Sequence, residues 1–145
     1  MGKTISAEDL EISFGDAADE VALFKWLIAS FLMGKRIQAD IAAQAYRVIV
    51  EKRQRDTPRK LANCSHRELV VMLGEAHYVR YDETTATRLL ALAHKLNDEY
   101  AGKVGNIVVE SADRQAFEKR LAEFDGIGPK TVEIFMREAG PVLFG

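Results

Sequence analysis

The chain has 145 residues, of which 48% are hydrophobic and 29% charged, and its formal net charge is −2. These proportions are ordinary for a globular domain and argue against an extended disordered chain. The longest apolar run, around Trp26 to Gly34, is too short to cross a bilayer. The single cysteine, Cys64, excludes an internal disulfide and a cysteine-ligated metal centre. We therefore expect a cytoplasmic protein without a cofactor or metal ion.

Charge is distributed unevenly along the chain. The first 20 residues contain six acidic side chains and one lysine, whereas the segment EKRQRDTPRK (51–60) has a net charge of +3. We interpret residues 1–17 as a polar, acidic and frayed N-terminal extension and residues 18–145 as a single domain. The basic segment either follows a nucleic-acid backbone or is a solvated run of charges.

From Ala18 onward, apolar residues recur at the three- and four-residue spacing of helices, with Trp26 on the core side. Thr57, and Ser65 with Glu68 three residues later, are typical helix caps. The sequence predicts helices at Ala18–Gly34, 37–52, 58–61, 84–100, Ser111 to about Phe124, and 130–138. Another predicted helix begins at Ser65. AGKVGN (101–106) is predicted to be a turn, and NIVVE (106–110) is the one strand-like run. Because one strand cannot form a sheet, the fold class is predicted to be all-α.

The stretch FDGIGPKTVEIF (124–135) is the most informative segment. Gly126 and Gly128 permit a tight turn with positive φ, and Pro129 suits the first turn of a helix. Ile127 is expected to point back and pin the two helices together. The bare backbone at a helix N-terminus favours an anion, and Lys130 and Thr131 are expected to reach phosphate oxygens. Such contacts would hold a DNA backbone without reading its sequence.

This arrangement resembles the helix-hairpin-helix motif, through Leu121, Gly126, Ile127, Gly128, Lys130 and Thr131. The segments FKWLIASFLMGKRIQADIAAQAY, TPRKLANCSHRELVVML and TATRLLALAHKLNDEYAGKV resemble, in order, helices of the endonuclease III-like (HhH-GPD) DNA glycosylase superfamily. The resemblance covers roughly residues 20–144. It implies a six-helix barrel-like domain, double-stranded DNA as partner, and a role related to base-excision repair.

The resemblance also implies roles for particular residues. Lys130 matches the lysine that forms a Schiff base in bifunctional members of the family, which makes it the catalytic candidate. Lys35, or alternatively Gln38, stands where the family often has a DNA-contacting glutamine. The loop that inserts into DNA aligns with YVRYDET (78–84), where we expect Tyr78 and Tyr81 to be core residues, with base stacking as the alternative.

The chain departs from the family pattern after the last predicted helix. The family's catalytic aspartate and second domain have no counterpart before Gly145. We therefore expect a DNA-binding protein that lacks full glycosylase activity, with an active glycosylase or abasic-site lyase as one alternative. A second alternative is a non-enzymatic interaction module, in which the acidic N-terminus could cover the hairpin. A further open question is whether a protein partner completes the cleft.

Overall fold

The computed structural model describes residues 4–15 and 19–145. Within these ranges the chain is helical, without a β-strand, and the predicted all-α class is confirmed. Eight α-helices follow one another: α1 (Glu20–Met33), α2 (Ala39–Tyr46), α3 (Pro58–Ala62), α4 (His66–Glu75), α5 (Asp82–Tyr100), α6 (Val104–Val109), α7 (Arg114–Leu121) and α8 (Pro129–Phe144). No helix in this described part is both long and apolar enough to cross a membrane.

Helix α1 forms the centre of the core. It is apolar on nearly every face, as expected for a helix surrounded by other helices. Asp19 caps its start, its carboxylate accepting the Val21 amide at 2.9 Å, and Gly34 ends it as predicted. Trp26 is fully buried, and its indole N–H donates to the Phe135 carbonyl at 3.2 Å. This bond connects α1 to α8, the helix that follows the glycine hairpin.

The second predicted helix, 37–52, begins two residues late and changes geometry halfway. Helix α2 covers Ala39–Tyr46, and the chain continues through Arg47–Lys52 as a π-helical segment. Ala42, Ala43 and Ala45 are buried, and α2 packs on α1. The short connection between these helices, residues 34–38, is thereby fixed next to the start of α8.

The predicted caps of the middle helices are confirmed. The Thr57 hydroxyl accepts the Lys60 amide at the start of α3, and Ser65 and Glu68 form the full capping box of α4. The long helix α5 packs against both α3 and α4. A six-residue connection, 76–81, joins α4 to α5 at the predicted break.

The strand-like NIVVE run lies in a helix, and the predicted turn AGKVGN already contains the start of that helix. Glu20 explains the difference, because its carboxylate accepts the Val104 and Gly105 amides at 2.8 and 2.7 Å and caps α6. Ile107 is buried in the core, so the surrounding structure overrides the β-propensity of the valines. The predicted Ser111 cap is also wrong, since Asp113 caps α7 by accepting the Ala116 amide at 2.8 Å.

Helix α8 is longer than predicted. It passes the expected end at Glu138 and includes Pro141. Proline lacks the N–H of a helical hydrogen bond, but here it lies in the last turn, where little helix remains to be disrupted. Arg137 and Glu138 therefore lie inside the helix and not at its end, next to the N-terminal segment.

The N-terminal segment is not a frayed extension in its described part, residues 4–15. Ile5, Ala7, Leu10 and Ile12 are buried in the common core. The Ala7 amide also donates to a Glu138 carboxylate oxygen at 2.7 Å. The predicted boundary at 17/18, and the expected helix start at Ala18, fall outside the described residues.

Candidate nucleic-acid interface

The connection between α7 and α8, residues 122–128, is called the hairpin below. Gly126 is its left-handed position, with φ +87°. A Cβ there would lie 2.8 Å from Arg88 Cδ and 2.9 Å from Phe31 Cε2, so both backbone strain and crowding require glycine. Gly128 differs, since its φ is −100° and a Cβ would meet nothing within 4 Å. Positive φ, predicted for the glycine pair, is therefore a property of Gly126 alone.

Ile127 has the pinning role that the sequence predicts. Its side chain is only 4% exposed, and its amide donates to the Phe124 carbonyl at 3.1 Å. Gly128 is the N-cap of α8 and Pro129 its first helical residue. The hairpin is therefore anchored by an apolar side chain, and its two glycines are partly exposed.

Several backbone donors at this corner are unused. The amides of Gly126, Gly128, Lys130 and Thr131 donate to no acceptor within residues 4–15 and 19–145. Gly128 has no side chain to cap them, and the positive end of the α8 dipole lies at the same point. Unused amides at a helix start can bind an anion.

The Thr131 side chain does not join this set. It is 1% exposed, and its Oγ1 would lie 2.0 Å from a Cβ built on Gly34. Thr131 therefore packs α8 directly on the end of α1, and its hydroxyl is not available to a phosphate. The sequence pattern could not distinguish an outward from an inward side chain in the first turn.

Lys35 is bound to the hairpin. Its Nζ donates to the Gly126 carbonyl at 2.7 Å and lies 5.0 Å from the centre of the Phe31 ring. Burial lowers the pKa of Lys35, the nearby Arg88 cation lowers it further, and Asp125 partly opposes both effects. Lys35 thus brings a partly buried positive charge to the glycine turn and also fixes the turn's shape.

Arg88 is a site residue that the sequence interpretation missed. It reaches the hairpin from the middle of α5, where its Nε lies 3.6 Å from Asp125 Oδ1. Asp125 is 65% exposed, so the pair is weak and open to solvent. Its position in the sequence, 38 residues before the hairpin glycine, gives no local signal of this contact.

The two tyrosines of the α4–α5 connection have different environments. Tyr78 is a core residue as predicted: its hydroxyl donates to the Leu32 carbonyl at 3.3 Å, and burial raises its pKa to about 12. Tyr81 is 49% exposed, contrary to the prediction. It caps α5 in the left-handed region, with φ +64°, and Arg80 lies over its ring at 5.1 Å.

Tyr81 is close to the two cations that contact the hairpin, Lys35 and Arg88. Together with Lys35, Arg88 and two threonines of α5, it lines a small cavity of about 160 Å³. The hairpin, Lys35, Tyr81 and Arg88 are called the hairpin face below. An exposed aromatic ring held in a strained backbone, next to two cations and unused amides, is typical of a binding surface.

Lys130 and Gln38 are brought together elsewhere. Both line a cavity of about 260 Å³ between the N-terminal segment, the α1–α2 connection and α8. Lys130 is exposed in the first turn of α8, and Gln38 is the N-cap of α2. The two candidate positions for the family's glutamine are thus separated, with Lys35 on the hairpin face and Gln38 in this cavity.

The remaining sequence candidates are outside the interface. Lys52 and Arg53 pair with Glu75, and Lys60 pairs with Asp56 at 3.1 Å, so much of the basic segment is a network of surface ion pairs. Cys64 is buried, and burial raises the pKa of its thiol. Within the described ranges, no group of histidine, cysteine and acidic side chains is arranged to hold a metal ion.

Comparisons of the chain with protein-family models, with curated proteins and with solved structures found no match.

Proposed function

We propose that the hairpin face binds the phosphate backbone of double-stranded DNA. The observation that carries the proposal is the convergence of unused hairpin amides with Lys35, Arg88 and the exposed ring of Tyr81. Amides at a helix start and flanking cations are the two usual ways in which proteins hold phosphate oxygens.

The geometry favours a backbone grip over base readout. The donors assigned to the phosphate are backbone amides of the two glycines and of the first turn of α8, and backbone amides at a helix start suit phosphate oxygens. Lys35 is held against the Gly126 carbonyl and is not extended into solvent. Such a surface fits one or two phosphates and leaves the sequence of the DNA unread.

The charge of this surface is modest. Lys35 and Arg88 oppose Asp125, and the whole chain carries a net charge of −2. We therefore expect weak, strongly salt-dependent binding that involves few phosphates. The logarithm of the binding constant should fall by about 0.9 per contacted phosphate for each unit of log salt.

The direct test is fluorescence anisotropy of a labelled duplex titrated with the protein at several salt concentrations. Arg88→Gln removes one cation and should lower the affinity and reduce the salt slope by about one unit. The matched control is Lys119→Gln on α7, an exposed lysine without an ion pair in the described part of the chain. Absence of binding by the wild-type protein even at low salt would refute the proposal and favour the interaction-module alternative.

A second candidate function, abasic-site lyase activity, is favoured by the position of Lys130. This lysine is exposed at the rim of a cavity, and it makes no ion pair within residues 4–15 and 19–145. Its amine would attack the sugar aldehyde, lose water and form an iminium ion, which borohydride reduces to a stable adduct. A covalent adduct on abasic duplex that disappears in Lys130→Ala would support this function, and its absence in the wild type would contradict it.

A further inference from the structure

The cavity that contains Lys130, called the α8 cavity below, is built from three segments that are far apart in the sequence. Ile5 comes from the N-terminal segment, Met33 and Gln38 come from the end of α1 and the start of α2, and Lys130 and Ile134 come from α8. Ile5 and Ile134 are buried, whereas Lys130 and Gln38 are exposed. The cavity therefore has an apolar base and a polar rim.

Two cations stand at this rim. Lys130 and Arg137 are seven residues apart on α8, so they project from one face, two turns apart, with Ile134 between them. Their long side chains can converge over Ile134 on a single anionic group. Neither cation makes an ion pair or a side-chain hydrogen bond within the described part of the chain.

The acid next to Arg137 in the sequence is already engaged. Glu138 accepts the Ala7 amide through Oε2 at 2.7 Å and so holds the N-terminal segment against α8. The same segment supplies Ile5 to the base of the cavity. This hydrogen bond engages one oxygen of the Glu138 carboxylate and holds in place the segment that supplies Ile5.

We propose that the α8 cavity binds a phosphomonoester whose organic part is small and apolar or flat. The dianion has enough acceptor oxygens for Lys130, Arg137 and the Gln38 amide group together, and neither cation has another partner among residues 4–15 and 19–145. The apolar base suits a ring or sugar carbon skeleton. A volume of about 260 Å³ limits the ligand to roughly one such unit.

This site is distinct from the hairpin face, although both proposals involve the first turn of α8. The α8 cavity is lined by neither Gly126 nor Arg88, and its cations come from α8 alone. It shares Lys130 with the proposed lyase function but does not depend on that function. The test therefore uses Arg137, which belongs to the α8 cavity and not to the hairpin face.

The first experiment is calorimetric or NMR titration of the full chain with phenyl phosphate, without DNA. Arg137→Gln is expected to weaken binding by roughly tenfold to a hundredfold, the usual effect of losing one charge-assisted hydrogen bond. Lys119→Gln is the matched control and should bind phenyl phosphate like the wild type. Since Arg137 is exposed, the variant should fold, and a melting curve verifies this. Undetectable wild-type binding, or equal binding by Arg137→Gln, would overturn the proposal.

Two further arms separate the sources of such a group. Inorganic phosphate should bind more weakly than phenyl phosphate, because it leaves the apolar base uncovered; equal affinity would overturn the assignment of an organic part. A short 5′-phosphorylated oligonucleotide, compared with its 5′-hydroxyl form, tests whether a strand end can also supply the phosphomonoester. If the 5′-phosphate raises the affinity for the oligonucleotide and Arg137→Gln abolishes this increase, the proposal extends to strand ends. If the increase persists in this variant, the proposal is overturned for strand ends.

Failure of the proposed DNA binding would not affect these results. Arg88→Gln removes a cation from the hairpin face only, so it should weaken duplex binding and leave phenyl phosphate binding intact. Equal loss of both activities in Arg88→Gln would show that the two sites are not separate and would overturn the assignment to the α8 cavity.

Discussion

Replacing Gly128 with aspartate should stabilise helix α8 and weaken duplex binding at the same time. Gly128 is the N-cap of α8 in an extended conformation, and a Cβ there would meet no heavy atom within 4 Å. Aspartate is a favoured N-cap residue. Its negative charge at the positive end of the helix dipole should stabilise the helix by about 0.3–1 kcal/mol. The folded protein should therefore melt at the same temperature as the wild type or slightly higher.

The same carboxylate opposes a phosphate in two ways. It would accept the Lys130 or Thr131 amide, which are the donors assigned to the ligand. It would also repel a phosphate about 5 Å away, by about 1 kcal/mol in bulk water and about 3 kcal/mol at an effective dielectric constant near 20. These limits correspond to a loss of roughly fivefold to 150-fold in affinity.

Two neutral substitutions at Gly128 separate the two effects. Gly128→Asn is nearly isosteric with aspartate and caps the same amides without charge, so it should lose affinity only moderately. Gly128→Ala fills the same space but leaves the amides free, so its duplex binding should match the wild type. The assay is duplex anisotropy at low salt, with thermal unfolding as the measure of stability. Wild-type affinity in Gly128→Asp, in a folded protein, would refute the phosphate-binding hairpin.

Three further predictions concern stability and are checked by chemical denaturation. Gly126→Ala should destabilise the fold by about 1–3 kcal/mol, because Gly126 has φ +87° and a crowded Cβ position, and unchanged stability would contradict the backbone analysis. Glu20→Ala should cost about 1–2 kcal/mol because it removes the cap of α6 at Val104, and an intermediate loss is expected for Glu20→Gln; wild-type stability in Glu20→Ala would exclude this role. The pKa of Tyr78 is raised to about 12 from a usual 10.0, so the contribution of the protonated phenol to the free energy of unfolding is complete below pH 10 and is lost as the pH rises towards 12. About 2–3 kcal/mol of the free energy of unfolding should be lost over this pH range. Tyr78→Phe should lose less over the same range, and an equal loss would show that other groups cause the effect.

The features that sequence reasoning predicted well are those with local causes. The turn at Gly126, the start of α8 at Pro129 and the Ser65 capping box all depend on residues within a few positions of one another. Backbone conformation and hydrogen bonds over this range follow directly from residue type. The all-α class followed for the same reason, since most helices carry their own periodic pattern and caps.

The features that sequence reasoning missed depend on distant residues. Helix α6 looked like a strand because the carboxylate that caps it comes from Glu20, more than 80 positions earlier. Thr131 looked like a phosphate ligand because the facing backbone of Gly34 is invisible in the local pattern. Arg88 and Arg137 gave no signal, since each becomes part of a site only when its helix packs in place. The buried N-terminal segment was missed because its four apolar residues are interspersed with acids.

The two lysines near the hairpin differ in whether their amine already has an acceptor, in a chain with a net charge of −2. Lys35 is committed: its amine is bound to the Gly126 carbonyl, so its charge acts on the turn itself and is carried at little entropic cost. Lys130 has no such partner in the described part of the chain and stands beside a cavity with a second cation. The first arrangement suits a static grip on a polymer, whereas the second suits a ligand that enters and leaves. The net charge therefore limits the strength of long-range attraction but not the local chemistry, which is set by whether each cation already has an acceptor.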